Sequence, residues 1–191
     1  IHVRPGNGRP FFPAQVQPVI VDAALWSETL ERVSNTEHKR IGLSFVGDKP
    51  SNQMPDANEL PLIGCVARIH KVQTEDGRIQ FIAQGIRRFR TLEWVSSKAP
   101  FIARVHYPSH NAAFDDETKA YAMAIINSIK ELVALNPLYS EELKHYLNRF
   151  SPNDPSPLTD FAAAITTAEG PVLQEVLETI PLQKRMEKVL L

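Results

Sequence analysis

The sequence predicts an α+β chain, with a β-rich segment over residues 1–108 followed by a small helical bundle over residues 109–191. Three observations lead there. Apolar residues alternate with a period of two through the first segment and recur at three- and four-residue steps through the second. The charge divides at the same place: residues 1–108 carry 14 basic and 10 acidic side chains, and residues 109–191 carry 7 and 12. A surplus of proline, 15 against 8 glycines, marks loops and helix starts along the whole length.

In the first segment, Pro18–Val21 and Ile41–Val46 are short apolar runs of strand length. Between them Trp26, Leu30 and Val33 recur at helical spacing, with Asp22 placed to cap. Cys65, Ala67 and Ile69 alternate with Val66, Arg68 and His70, and Ile79, Phe81 and Ala83 alternate with Gln80, Ile82 and Gln84. Asp76-Gly77 separates these runs and supplies the positive φ that a tight hairpin demands. Phe101, Ala103, Val105 and Tyr107 form a further alternating run. Strands at hairpin spacing predict a closed or nearly closed antiparallel sheet. The polar stretch 47–61, with three prolines, is the best candidate for mobility.

In the second segment, Asp115 can cap a helix whose stripe is Tyr121, Ile125, Ile129, Leu132 and Val133, ended by Asn136-Pro137. Ser140 opens another, carrying Leu143, Tyr146, Leu147 and Phe150. Ser156-Pro157 reads as a cap followed by proline at the first helical position. Leu158, Phe161, Ala162 and Ile165 follow, and Gly170-Pro171 separates them from the next helix, with Leu173, Val176, Leu177 and Ile180. The last stripe, Leu182, Met186, Val189 and Leu190, has no stop signal after it, as expected of a piece cut from a longer protein.

Composition excludes several classes. Apolar residues make up 43% and charged ones 23%, values of ordinary globular chains and not of disordered tails. Cys65 is the single cysteine, so neither an internal disulfide nor a multi-thiolate zinc site can form; in a strand it is expected to be a small core residue. No apolar run reaches the roughly 20 residues that cross a bilayer. Residues 42–50 half-match a phosphate-binding loop, but Asp48 separates Gly47 from Lys49, and Pro50 blocks the helix that such a loop requires. His106 and His110 have helical ligand spacing without a helix, since Pro108 lies between them. Neither G-x-S-x-G nor H-E-x-x-H occurs. Arg87, Arg88 and Arg90, with Arg68, Lys71 and Arg78 nearby in sequence, form a basic cluster in which Arg88 and Arg90 share one strand face; with no run of aromatics beside the arginines for base stacking, a solvated sheet face is expected, and nucleic acid is not.

Taken as an ordered set, five segments resemble the N-terminal domain of Lon, the ATP-dependent serine protease. Val3–Val21, with Pro13 and Pro18, is similar to that domain's opening strand. Gly64–Ile69 resembles its G-x-V-A-x-I strand, and Asp76–Arg90 resembles its hairpin ending in G-x-x-R, here Gly85 and Arg88. Leu158–Ala163 and Leu173–Glu178 resemble its L-A-D and L-L-E helices. The chain departs from the family's P-L-R at Pro5-Gly6-Asn7 and from its Gly-Arg at Asp22-Ala23. The E-P-R-Y of free-standing relatives is absent, which favours a full protease as parent over a stand-alone protein of the same domain type.

The resemblance implies a PUA-like antiparallel β-barrel with one helix, then a helical bundle truncated at a helix that continues in the parent. It implies a non-catalytic, cytoplasmic domain that captures unfolded, damaged or degron-bearing proteins and helps a homo-hexamer assemble. No cofactor is expected in this chain; ATP and Mg belong to the parent's ATPase domain, and the Ser–Lys dyad likewise lies outside it. An RNA-binding PUA-like module is the alternative. Met54, Trp94 and Phe114, the apolar groups least accounted for by periodicity, are the candidate substrate contacts. Gly64, Gly85, Pro13 and Pro18 are assigned to backbone geometry.

Overall fold

The computed structural model describes residues 1–6, 8–47, 54–109, 115–135, 141, 145, 147–148 and 154–191. The chain forms two compact units: Ile1–Pro108 with Ala168–Glu178, and Ser109–Thr167 with Thr179–Leu191. The helix over 170–178, which its stripe alone groups with the bundle, thus belongs with the β-rich unit. Glu169, Glu175 and Glu178 move with it, which narrows the charge split from +4 and −5 to +1 and −2.

The first unit contains β1 (His2–Gly6), β2 (Val16–Asp22), α1 (Ala23–Ser34), β3 (Arg40–Phe45), β4 (Ile63–Glu75), β5 (Arg78–Ser96) and β6 (Phe101–His106). The opening segment is therefore two strands, not one. Strand order is β2-β5-β4-β3-β1-β6, and β6 also pairs with β5, so β5, β4, β3, β1 and β6 close a ring. One pairing departs from the antiparallel pattern: β1 lies parallel to β3. The length of β5 makes closure possible. β4 follows one of its edges from Arg78 to Arg90, while the other edge takes β2 over Arg78–Gln84 and β6 over Arg90–Ser96.

Local chemistry accounts for the connections. Asp76 and Gly77 both have positive φ, 50° and 73°, as the two-residue hairpin between β4 and β5 requires. The Asp22 carboxylate accepts from Ala24 N at 2.8 Å and starts α1, which buries Trp26, Leu30 and Val33. Each such side chain contributes about 1.5–3 kcal/mol by leaving water. They join Ile41, Val66, Phe81, Phe89 and Phe101 in one core. Cys65 is buried, as expected. The stretch read as mobile is anchored where it is described: Ala57 and Leu60 lie in the barrel core, and Asp56 N donates to the Glu59 carboxylate at 3.0 Å around a 3-10 turn, Ala57–Glu59.

The second unit holds α2 (Asp116–Ala134), α3 (Ser156–Ile165) and α5 (Leu182–Leu190); α4 is the helix Gly170–Glu178 of the first unit. Asp115 caps α2, accepting from Thr118 N at 2.8 Å. Ile125, Ile129, Leu158, Ala162, Leu182 and Met186 form the core, while Leu132, placed on the α2 stripe by spacing, is exposed. The helix expected over Ser140–Phe150 falls largely outside the described residues. Ser156 is not a cap but the first residue of α3, after Pro155. Its hydroxyl accepts instead from Arg185 at 2.5 Å.

Candidate functional site

Strand β5 organises the outer surface of the barrel unit. Two irregularities in its pairing with β6 fall between Thr91 and Glu93 and between Trp94 and Ser96. Each inserts one extra residue, and a bulge turns the side chains beside it out of the alternation. The inserted residues are Leu92 and Val95, 54% and 66% exposed. Trp94 between them is half-buried, its ring in an edge-on contact with Phe101 at 5.9 Å. Apolar exposure at this place is thus carried by its two neighbours. Leu92 follows the alternation of Phe89, Arg90 and Thr91 outward, whereas Val95 faces outward against it, through a bulge that leaves no signal in the sequence pattern; sequence reasoning missed both. Met54 stands at the edge of the described part of its loop, 36% exposed, and Phe114 lies outside the described residues. On β2, Val16 and Ile20 also face solvent.

The arginine cluster does not share one solvated face. Arg87 and Arg90 are exposed, and the Arg87 guanidinium lies 4.6 Å from the Tyr107 ring centre. Arg88 is buried and donates from Nε to the Leu177 carbonyl at 2.7 Å. It holds the last turn of α4, whose terminal carbonyls lack helical donors. Gln174 on the same helix donates to the Ile63 carbonyl at 3.1 Å, so α4 is pinned at two points. Gly85 has a related role. A Cβ there would stand 2.2 Å from the Phe12 carbonyl oxygen, where Ala14 N donates to Gly85 O and Gly85 N to Gln15 O. The G-x-x-R pattern therefore fixes two attachments to β5, the 12–15 turn by glycine and α4 by arginine.

Two other cations, the half-buried Arg4 and the buried Arg185, have identified environments. Arg4 lies beneath Trp26, 5.6 Å from the ring centre, and burial pushes its guanidinium down to about 10. In the second unit Arg185 and Asp160, both essentially inaccessible, pair at 3.4 Å, and Arg185 also donates to Thr179 O and Ser156 Oγ. Among the described residues no group of three or more His, Cys, Asp or Glu is arranged to hold a metal ion. No described helix is long and apolar enough to cross a membrane.

A closed barrel with a helical unit beside it in sequence is an α+β architecture shared with solved structures. The N-terminal domain of the Mycobacterium avium complex Lon protease matches 99% of this chain and 95% of its own, with a TM-score of 0.77 at 18% identity. A Lon N-terminal domain protein from Xanthomonas campestris matches 100% and 96%, with a TM-score of 0.68 at 13% identity. The chain belongs to the substrate-binding domain family of the ATP-dependent protease La (LON), whose family model matches residues 2–191. Lon protease 2 of Hydrogenovibrio crunogenus is 42% identical over 191 residues, covering 100% of this chain and 22% of the relative. Lon protease 1 of Syntrophotalea carbinolica is 39% identical over 188 residues, covering 97% and 23%. The chain thus spans less than a quarter of the length of these relatives.

Proposed function

We propose that this chain is the non-catalytic recognition domain of a cytoplasmic ATP-dependent serine protease, engaging unfolded, damaged or degron-bearing proteins and contributing to assembly of a homo-hexamer. ATP, Mg and the peptide-cleaving dyad belong to other parts of the parent. Family membership supports the class of role. The observation that carries it to particular residues is the pair Leu92 and Val95, large exposed apolar side chains at the two register shifts of β5 against β6. A reader of unfolded chains needs apolar surface of this kind more than a shaped polar pocket. Met54 and Trp94 are assigned to the same contact set, and Phe114 is retained as a candidate from sequence.

The test is photocrosslinking of a permanently unfolded, near-neutral polypeptide to the chain, with binding of the double variant L92S/V95S measured in parallel. Both positions are exposed, so the melting temperature should hold while affinity falls at least fivefold. Unchanged affinity, with crosslinks confined to other surfaces, would remove these residues from the contact set.

A further inference from the structure

On the barrel unit, a cleft of about 560 Å³ opens where the turn after α1 meets β4. Its charged lining is Lys39, Arg68 and Lys71, with His38 and His70 beside them and Glu37 as the one carboxylate. Three features mark it as built. Lys39 and Lys71 both have left-handed backbone, φ 48° and 51°, which L side chains adopt only at a cost. The Lys39 backbone is held from both sides, its N–H by Thr36 Oγ1 at 3.2 Å and its carbonyl by Ile69 N at 2.9 Å. Lys71 and Val72 occupy a break in the β4–β5 register between His70 and Gln73, where a bulge re-aims side chains.

The charge around the cleft is uncompensated in one direction. Arg40 stands directly across from Arg68 in the β3–β4 ladder, and like charges at that position repel. The Arg40 Nε is buried and has no hydrogen-bond partner among the described residues. Arg40 itself does not line the cleft, but an anionic group entering beside Arg68 relieves this repulsion. Ile69 and Val72 supply apolar lining, and Phe, Tyr and Trp, the broadest stacking platforms for a base, are absent from it. A peptide therefore fits better than a polynucleotide.

We propose that this cleft binds an extended polypeptide segment carrying two or more carboxylates, and so gives the domain a preference for acidic stretches. Arg68 and Lys71 both line the cleft, and carboxylates two residues apart share one face of an extended strand at about 7 Å, a spacing that two long basic side chains can meet. The inference rests on the reading of the chain as a protein-recognition domain and adds the class of segment recognised.

The test uses the full chain and fluorescence anisotropy with two 12-residue peptides bearing a neutral dye, (Glu-Ser)6 and (Gln-Ser)6, whose acidic or amide side chains share one face when extended. The glutamate peptide should bind at least tenfold more tightly. The double variant R68Q/K71Q, at exposed positions, should remove that preference with its melting temperature retained. R78Q/R90Q, exposed arginines outside the cleft, should leave binding within twofold. Equal binding of the two peptides overturns the proposal, and so does indifference to R68Q/K71Q. Tighter binding of a single-stranded RNA, lost in the same double variant, replaces the peptide with a nucleic acid and also overturns it. The unfolded near-neutral polypeptide serves as the second arm. Its capture without any preference for the glutamate peptide sinks the cleft alone, whereas capture of neither removes the recognition reading as well.

Discussion

Replacing Asp160 by alanine should be among the most damaging single changes in the helical unit. Asp160 and Arg185 are 1% and 0% exposed, and their 3.4 Å pair is supported by hydrogen bonds from the guanidinium to Ser156 Oγ and Thr179 O. Alanine takes the Asp160 carboxylate away from a buried cation, which costs about 3–5 kcal/mol. In a chain of this length that lowers the melting temperature by roughly 6–20 °C. The ion pair on α1 provides the contrast. Arg32 and Glu28 are closer, 2.7 Å, but 48% and 62% exposed, and Glu28→Ala should cost no more than about 0.5 kcal/mol. Burial decides between them, not distance. The double variant D160A/R185M removes both charges and should recover at least about 2 kcal/mol of the summed single losses, since neither charge is then stranded. Urea unfolding followed at 222 nm measures these differences. Tryptophan fluorescence separately follows the barrel unit, where Trp26 and Trp94 both lie. A cost below about 1 kcal/mol for D160A, or strict additivity in the double variant, would refute the reasoning.

Gly85→Ala should destabilise the barrel unit by about 3–5 kcal/mol, combining overpacking against the Phe12 carbonyl with loss of the two hydrogen bonds beside it; a tryptophan-fluorescence transition shifted by less than about 1 kcal/mol would contradict that. Acid should weaken α2 through its cap. The backbone N–H of Thr118, and then its side chain, hold the Asp115 carboxyl below the ordinary carboxylate value. A depressed folded pKa means that the contribution is present above the unfolded value and lost as pH falls through the folded one. Stability against urea should therefore fall more steeply with acidification in the native chain than in Asp115→Asn, and superimposable pH profiles would show the cap to be silent.

Much of the fold is legible in the sequence because its signals are local. Asp76-Gly77 specifies a hairpin through two residues' dihedrals, and Asp22 and Asp115 each cap a helix two or three residues away. The change of period and the ordered family segments require no knowledge of long-range contacts. They determine an α+β chain of the Lon substrate-binding domain family. What only the tertiary structure decided is where surfaces with the same local pattern are buried. The stripe of α4 looks like that of its neighbours in sequence, yet α4 packs with the barrel unit because Arg88 and the Ile63 carbonyl meet it there. Arg88 reads as one of three surface arginines until that helix covers it. Asp160 and Arg185 lie 25 positions apart, so their pairing has no local trace. Val95 faces outward against the alternation of β5, in a register that pairing with β6 imposes and β5 alone does not contain. Periodicity states which faces are apolar; only the folded chain states what covers them, because burial is a property of two surfaces and the sequence pattern describes one.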